Sequence, residues 1–202
     1  MPDVSFLPAM TRRRLSMATR IALRVAHDCR QNDDIGSAVF CSRHGECERT
    51  LGIYGALSKS NPMSPTQFSQ SVHNTAAGVY SIEDDLHVNF CSMAAGEVTA
   101  EQGFIEAWTL IQSGSGPVLW VMSDAKLKPP YAEFEMVPEL SFGVAMLLEK
   151  ASAGSGLTLT QVEKPPEREN SAGTDNVVAL LLGQPQLALS PGNGWQWTLE
   201  NG

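Results

Sequence analysis

The chain has 202 residues, of which 43% are hydrophobic and 18% charged, with a net charge of -8 and a pI near 4.9. Its length suits one globular domain with its own core, and its acidic balance argues against nucleic-acid binding, which needs a basic footprint. Four cysteines, with no secretory segment ahead of them and no span-length apolar run, point to a reduced cytoplasmic chain with free thiols.

In chain order, a helix is expected over 11–29, where Leu15, Ala18, Ala22, Val25, Ala26 and Cys29 recur at the helical period and Thr11 is placed to cap the start. Arg12, Arg13 and Arg14 form the only short basic run, read either as a solvated helix start or as a docking point for an acidic partner. Residues 36–41 read as a buried strand. A helix follows with Cys47, Leu51, Tyr54 and Leu57 on one face. Ser64-Pro65-Thr66-Gln67 combines a capping serine, a proline at the first helical position and a capping box. It opens a predicted helix over 64–80 whose stripe of Phe68, Val72, Ala76 and Val79 should face the core.

Residues 88–93 form the next predicted strand, and Ala94-Ala95-Gly96 a corner of small residues. A helix is expected from Glu97 to about Ser113, with Phe104, Trp108 and Ile111 on its apolar face and Gly114-Ser115-Gly116-Pro117 at its end. The continuous apolar run 118–122 reads as a central strand. Strands alternating with helices imply an α/β fold with a mixed, mostly parallel sheet covered by helices. Later expectations are strands at 142–149 and 157–162, a loop over 164–173, a short buried helix at 177–182 and an edge strand at 195–199.

The chemistry-bearing residues give no complete constellation. Cys41, His44 and Cys47 lack the second ligand pair of a structural zinc site, so no metal is expected. His73, beside Asn74, is read either as a substrate-orienting base or as the donor of one structural hydrogen bond. No G-x-S-x-G elbow is present, which argues against a serine hydrolase of that type. Cys91 lies within a strand, without a helix dipole to stabilise a thiolate, and His27 and His87 have no recognisable partners. Glu97 opens a helix, where a carboxylate is stabilised by the dipole.

Several segments together resemble the N-terminal half of the thiolase-fold β-ketoacyl synthases, over roughly residues 12–162. They are Phe6 to Ser16 (FLPAMTRRRLS), Val39 to Glu46 (VFCSRHGE), Ser64 to Gly78 (SPTQFSQSVHNTAAG), Ala94-Ala95-Gly96-Glu97 and Pro117-Val118-Leu119-Trp120-Val121. The likeness is to the short N-terminal-like family of aryl-polyene and related clusters, whose members are described as chain-length factors. It implies a thiolase-like half-fold and one domain over 1–202, with 162–202 read as a divergent C-terminal extension. The family normally has a strand ahead of the Phe-Leu-Pro segment, and this sequence starts almost at that segment.

The same resemblance implies the site. Aligned backward from Gly114, the nucleophilic cysteine of active synthases falls at Glu97, and a carboxylate cannot form the thioester. The two catalytic histidines of active synthases belong to a C-terminal half for which this chain has no room. The implied function is a non-catalytic chain-length-factor-like subunit paired with a full-length β-ketoacyl synthase in fatty-acid or polyketide biosynthesis of the aryl-polyene type. Val88, Asn89, Phe90, Cys91, Ser92 and Met93 would form the dimer strand; Phe68, Val72, His73 and Phe104 are acyl-channel candidates. No cofactor of its own is expected, because the acyl chain rides on the phosphopantetheine of an acyl carrier protein docked mainly by the synthase. Two rivals stay open: an acyl-thioester decarboxylase or hydrolase using Glu97 with His73, and a homodimeric acyl-binding protein.

Overall fold

A computed structural model describes residues 1–31, 33–134, 141–151, 156–161 and 195–200. Its elements in chain order are α1 (Ala9–Arg12), α2 (Met17–Arg30), β1 (Ser37–Cys41), α3 (Cys47–Leu57), α4 (Pro65–Ser69), α5 (Thr75–Glu83), β2 (Asn89–Met93), α6 (Thr99–Gln112), β3 (Val118–Asp124), β4 (Phe142–Leu148), β5 (Gly156–Gln161) and β6 (Trp195–Glu200). Two short 3₁₀ turns lie at Gly96–Val98 and Ala132–Phe134.

Apolar composition explains the middle of the main sheet. Every residue of β1 and β3 is buried, which demands cover on both faces. The strand order is β2-β1-β3-β4, with β1 parallel to both β2 and β3, and β4 antiparallel to β3. Alternate side chains serve two separate cores. Ala38, Phe40, Leu119 and Val121 pack with Leu23 and Ala26 of α2 and Tyr80 of α5. Val39, Cys41, Trp120 and Met122 pack with Ala100, Phe104 and Ala107 of α6. The fold is therefore a mixed sheet between helical layers, as expected. Strands β5 and β6 pair with each other, antiparallel, in a second sheet. The loop expected over 164–173 and the helix expected at 177–182 lie outside the described residues.

Four helix expectations need correction. The helix expected over 11–29 is two helices, because the Ser16 hydroxyl accepts from Thr19 N at 3.0 Å and starts α2 afresh. Thr11 caps nothing; its hydroxyl donates to Glu83 Oε1 at 2.6 Å. The helix expected over 64–80 is also two. Ser64 caps α4 as expected, but the chain turns after Gln70 and resumes as α5. That break rotates the predicted stripe out of line: Ala76 and Val79 pack on the core, whereas Phe68 is 59% and Val72 47% exposed. On α3, the face carrying Tyr54 and Leu57 is exposed, and Ile53 turns inward instead. On α6, Trp108 is 45% exposed, while Phe104 and Ala107 make the buried face.

Helix α6 lies close to the sheet because residue 103 is glycine. A Cβ there would fall 2.6 Å from Trp120 Nε1 and would also collide with Cys41 Sγ. One residue on, Phe104 stacks flat on Trp120, with centroids 4.4 Å apart and planes within 7°. Gly103→Ala should therefore destabilise the protein by about 1–2 kcal/mol, overpacking outweighing the gain in helix propensity. Chemical denaturation of the two proteins measures this directly.

Candidate functional site

Strands β1, β2 and β3 run in the same direction, so their carboxyl ends share one edge of the sheet. In open α/β sheets this edge is where ligands bind. Asp124, the last residue of β3, organises it. Its buried carboxylate accepts from Ser42 Oγ at 2.7 Å, Arg43 N at 3.1 Å and His44 N at 3.0 Å. Ser42 Oγ in turn accepts from Gly45 N at 2.7 Å, and Ser42 N donates to Met93 O at 3.1 Å. One carboxylate thereby fixes the turn after β1, and that turn is tied to the end of β2.

His73 joins the same edge. It lies in the break between α4 and α5, not in mid-helix, and its Nε2 meets the main-chain oxygen of Ser42 at 2.8 Å. Gly45, with φ of +51°, leaves room for the ring: a Cβ there would be 2.9 Å from His73 Cδ2. His44, Cys47, Leu51, Tyr54, His73 and Tyr131 line an open cleft of about 290 Å³ beside this knot.

Ser42, His73 and Asp124 bring together the residue types of a nucleophilic triad, but their bonding does not fit one. The serine hydroxyl donates to the aspartate, and the imidazole meets a main-chain carbonyl. A base must reach the hydroxyl it activates.

The corner between β2 and α6 is the second part of the site. Gly96 takes φ of +60°, and a 3₁₀ turn over Gly96–Val98 precedes the helix proper. Thr99 Oγ1 accepts from Ala95 N at 2.9 Å and donates to Gly96 O at 2.7 Å, which sets the bend. Glu97 is exposed within that turn, two residues before α6 begins. A carboxylate thus occupies the corner.

None of the thiols is activated. Cys41, Cys91, Cys29 and Cys47 are all free. Burial pushes each thiol pKa up; Cys41, in the core, is the most strongly raised, with Cys91 and Asp124 adding to the effect. Cys91 stays within β2, opposite Val39, as the sequence places it. Cys41 faces α6 in the core while Cys47 lines the cleft, and among the described residues no three His, Cys, Asp or Glu side chains gather to hold a metal. His27 stacks on Phe6 at 3.8 Å, and His87 is exposed beside Asp85.

The remaining site candidates divide sharply. Phe104 is a core residue at 1% exposure, so its side chain has no access to a surface of this chain. Phe68 and Val72 are surface residues. Val88 lies just before β2 and packs on the α2/α5 core. Residues Asn89, Phe90, Cys91, Ser92 and Met93 form β2, whose outer edge has no strand beside it among the described residues.

The sequence matches the family described as beta-ketoacyl synthase, N-terminal domain, over residues 1–198. The chain belongs to that family. No curated protein matches it. Among solved structures, it is similar to a chain of the ketosynthase ApeO in complex with its chain length factor ApeC from Xenorhabdus doucetiae. That match has 31% identity and a TM-score of 0.78, and covers 96% of this chain and 82% of the other.

Two further structures share the fold. The ishigamide ketosynthase/chain length factor matches at 17% identity and a TM-score of 0.60, over 89% of this chain and 58% of that one. A β-ketoacyl synthase from Burkholderia phymatum STM815 matches at 14% identity and a TM-score of 0.62, over 90% and 56%. This β-ketoacyl synthase-like chain thus has a thiolase-like fold and spans little more than half the length of those two relatives.

Ser42 and Asp124, which organise the edge, were not singled out from the sequence. The available signal was an aspartate directly closing an apolar strand, where a buried charge needs donors.

The raised thiols have a consequence for stability. The folded protein holds these protons more tightly than the unfolded chain, as it does that of Tyr80, whose pKa is also raised, chiefly by burial. The stabilisation is complete below the unfolded thiol pKa of about 8.5 and is lost as pH rises through the folded values. The melting temperature should fall between about pH 8 and pH 10, and Cys41→Ala should flatten that slope. Thermal scans across that range provide the measurement.

Proposed function

We propose that this chain is a non-catalytic, chain-length-factor-like subunit that pairs with a full-length β-ketoacyl synthase of a fatty-acid or polyketide pathway, of the aryl-polyene type. The observation that carries the reading is the exposed carboxylate of Glu97 at the β2–α6 corner, where the family resemblance implies the thiol that a condensing enzyme acylates. Burial of Cys91 within the preceding strand supports it, since that thiol is neither at the corner nor activated. The likeness to a chain of a ketosynthase–chain length factor complex supports the pairing.

The outer edge of β2 is the surface through which the synthase pairs. An edge of unpaired main-chain groups is a template for another strand, and pairing across it extends the sheet through the dimer. Helices α5 and α6 touch β2 from its two faces. They carry exposed Ile82 and Trp108, apolar surface that a partner would cover. Phe68 and Val72, exposed on and just after α4, project into the partner's acyl channel and limit the length of the chain it accepts. The growing chain rides on the phosphopantetheine of an acyl carrier protein.

Co-expression with a candidate full-length synthase, followed by size-exclusion chromatography, tests the pairing. A mixed complex is expected, and Asn89→Lys with Ser92→Lys, one lysine on each face of the edge, should abolish it without unfolding the chain. Phe68→Ala should lengthen the products of the reconstituted pair. Self-association with no mixed complex would instead favour a homodimeric binding protein. Turnover of an acyl- or malonyl-carrier protein by the isolated chain, lost in Glu97→Gln, would overturn the non-catalytic reading.

A further inference from the structure

Away from the β2 corner, α2, α3 and the segment after β3 enclose an open cleft of about 510 Å³. Its charged lining runs against the character of the chain. Arg20, Arg49, Lys126 and Lys128 face it, with Glu48 as the one carboxylate among the described residues. Arg20 donates to the carbonyl of Arg12, and Arg49 Nη2 donates to that of Arg14 at 2.7 Å. Four of the 14 Lys and Arg residues therefore line one cleft, on a chain whose net charge is -8.

The two arginines are held in place before any ligand arrives. Arg49 Nε also contacts buried Glu46 Oε2 at 3.2 Å, and Glu46 is fixed by the Ser16 and Thr19 hydroxyls at 2.6 and 2.5 Å. A guanidinium has five N–H donors, and these bonds engage one nitrogen of Arg20 and two of Arg49. Tethered guanidinium groups of this kind suit phosphate oxygens, since little freedom remains to be lost on binding. Lys126 and Lys128 face them from the segment after β3, where Lys128 also meets Glu48. Ser16 and Met17 present the positive end of the 14-residue helix α2 to the same space. Leu15, Met17 and Ala125 add apolar wall. The volume falls within the range of small-molecule sites and is larger than a single phosphate requires.

We propose that this cleft binds a phosphorylated small molecule of about nucleotide size, with its phosphates on Arg20, Lys126 and Lys128 and its organic part on the apolar wall. This site is separate from the β2 edge and does not rest on the chain-length-factor reading.

Isothermal titration of the full chain with ADP, coenzyme A and inorganic pyrophosphate, at about 150 mM salt to screen diffuse attraction, tests it. Saturable binding is expected, tighter for ADP or coenzyme A than for pyrophosphate. Lys126→Ala with Lys128→Ala should weaken it by at least about tenfold, a modest loss for two charge-assisted contacts. Both lysines are exposed, so the double variant should keep the wild-type circular dichroism. Arg20→Gln is the second variant, with a loss in the same direction. Binding of none of the three probes, or equal affinity in wild type and both variants, would overturn the proposal. So would lysine-dependent capture of polyglutamate without binding of any phosphorylated probe, which would make the cleft a docking surface for an acidic protein.

Discussion

The close seat of α6 on the sheet is the constraint from which the rest of the architecture follows. Gly103 removes the one side-chain carbon that would hold the helix away, and Phe104 then lies flat on Trp120 over the middle of the sheet. Because β1 and β3 are apolar on both faces, neither could stay in the interior without this cover. The helix axis fixes where its amino end falls, and so where the β2–α6 corner presents Glu97. A helix seated further out would open a gap over Trp120 and loosen the corner together with the core.

The carboxyl edge of the sheet depends on a different interaction of the same kind. Asp124 is a buried charge, tolerable only because a hydroxyl and two main-chain amides converge on it. Those donors come from the turn after β1, and Ser42 passes the order on to β2 through Met93 and to His73 through its carbonyl. The polar residues of this edge are therefore occupied in holding segments together. The basic cleft lies elsewhere, around α2 and α3, where two tethered arginines and two lysines set the local charge.

The strands were readable because burial on both faces leaves a simple record. The runs 36–41, 88–93 and 118–122 match β1, β2 and β3 to within two residues at either end. The capping of Ser64 was readable too, since cap and capped amide are three residues apart. Helix continuity was not. Periodicity carried both long helices across breaks where a hydroxyl or an imidazole found a partner far away, such as the oxygen of Ser42, 31 residues from His73. Phe68 and Val72 kept the helical spacing of a core stripe and still point outward, because the turn between α4 and α5 resets the phase.

The sequence by itself determined the α/β class, the order of the strands along the chain, the family resemblance and the carboxylate at residue 97. These rest on composition, local spacing and residue identity, all of which are properties of neighbours in the chain. Only the tertiary structure decided that Phe104 belongs to the core, that His73 anchors a turn, that Asp124 organises the sheet edge and that four basic side chains line one cleft. Each of these depends on segments distant in the chain coming to lie side by side, and a one-dimensional pattern does not encode distance across a fold.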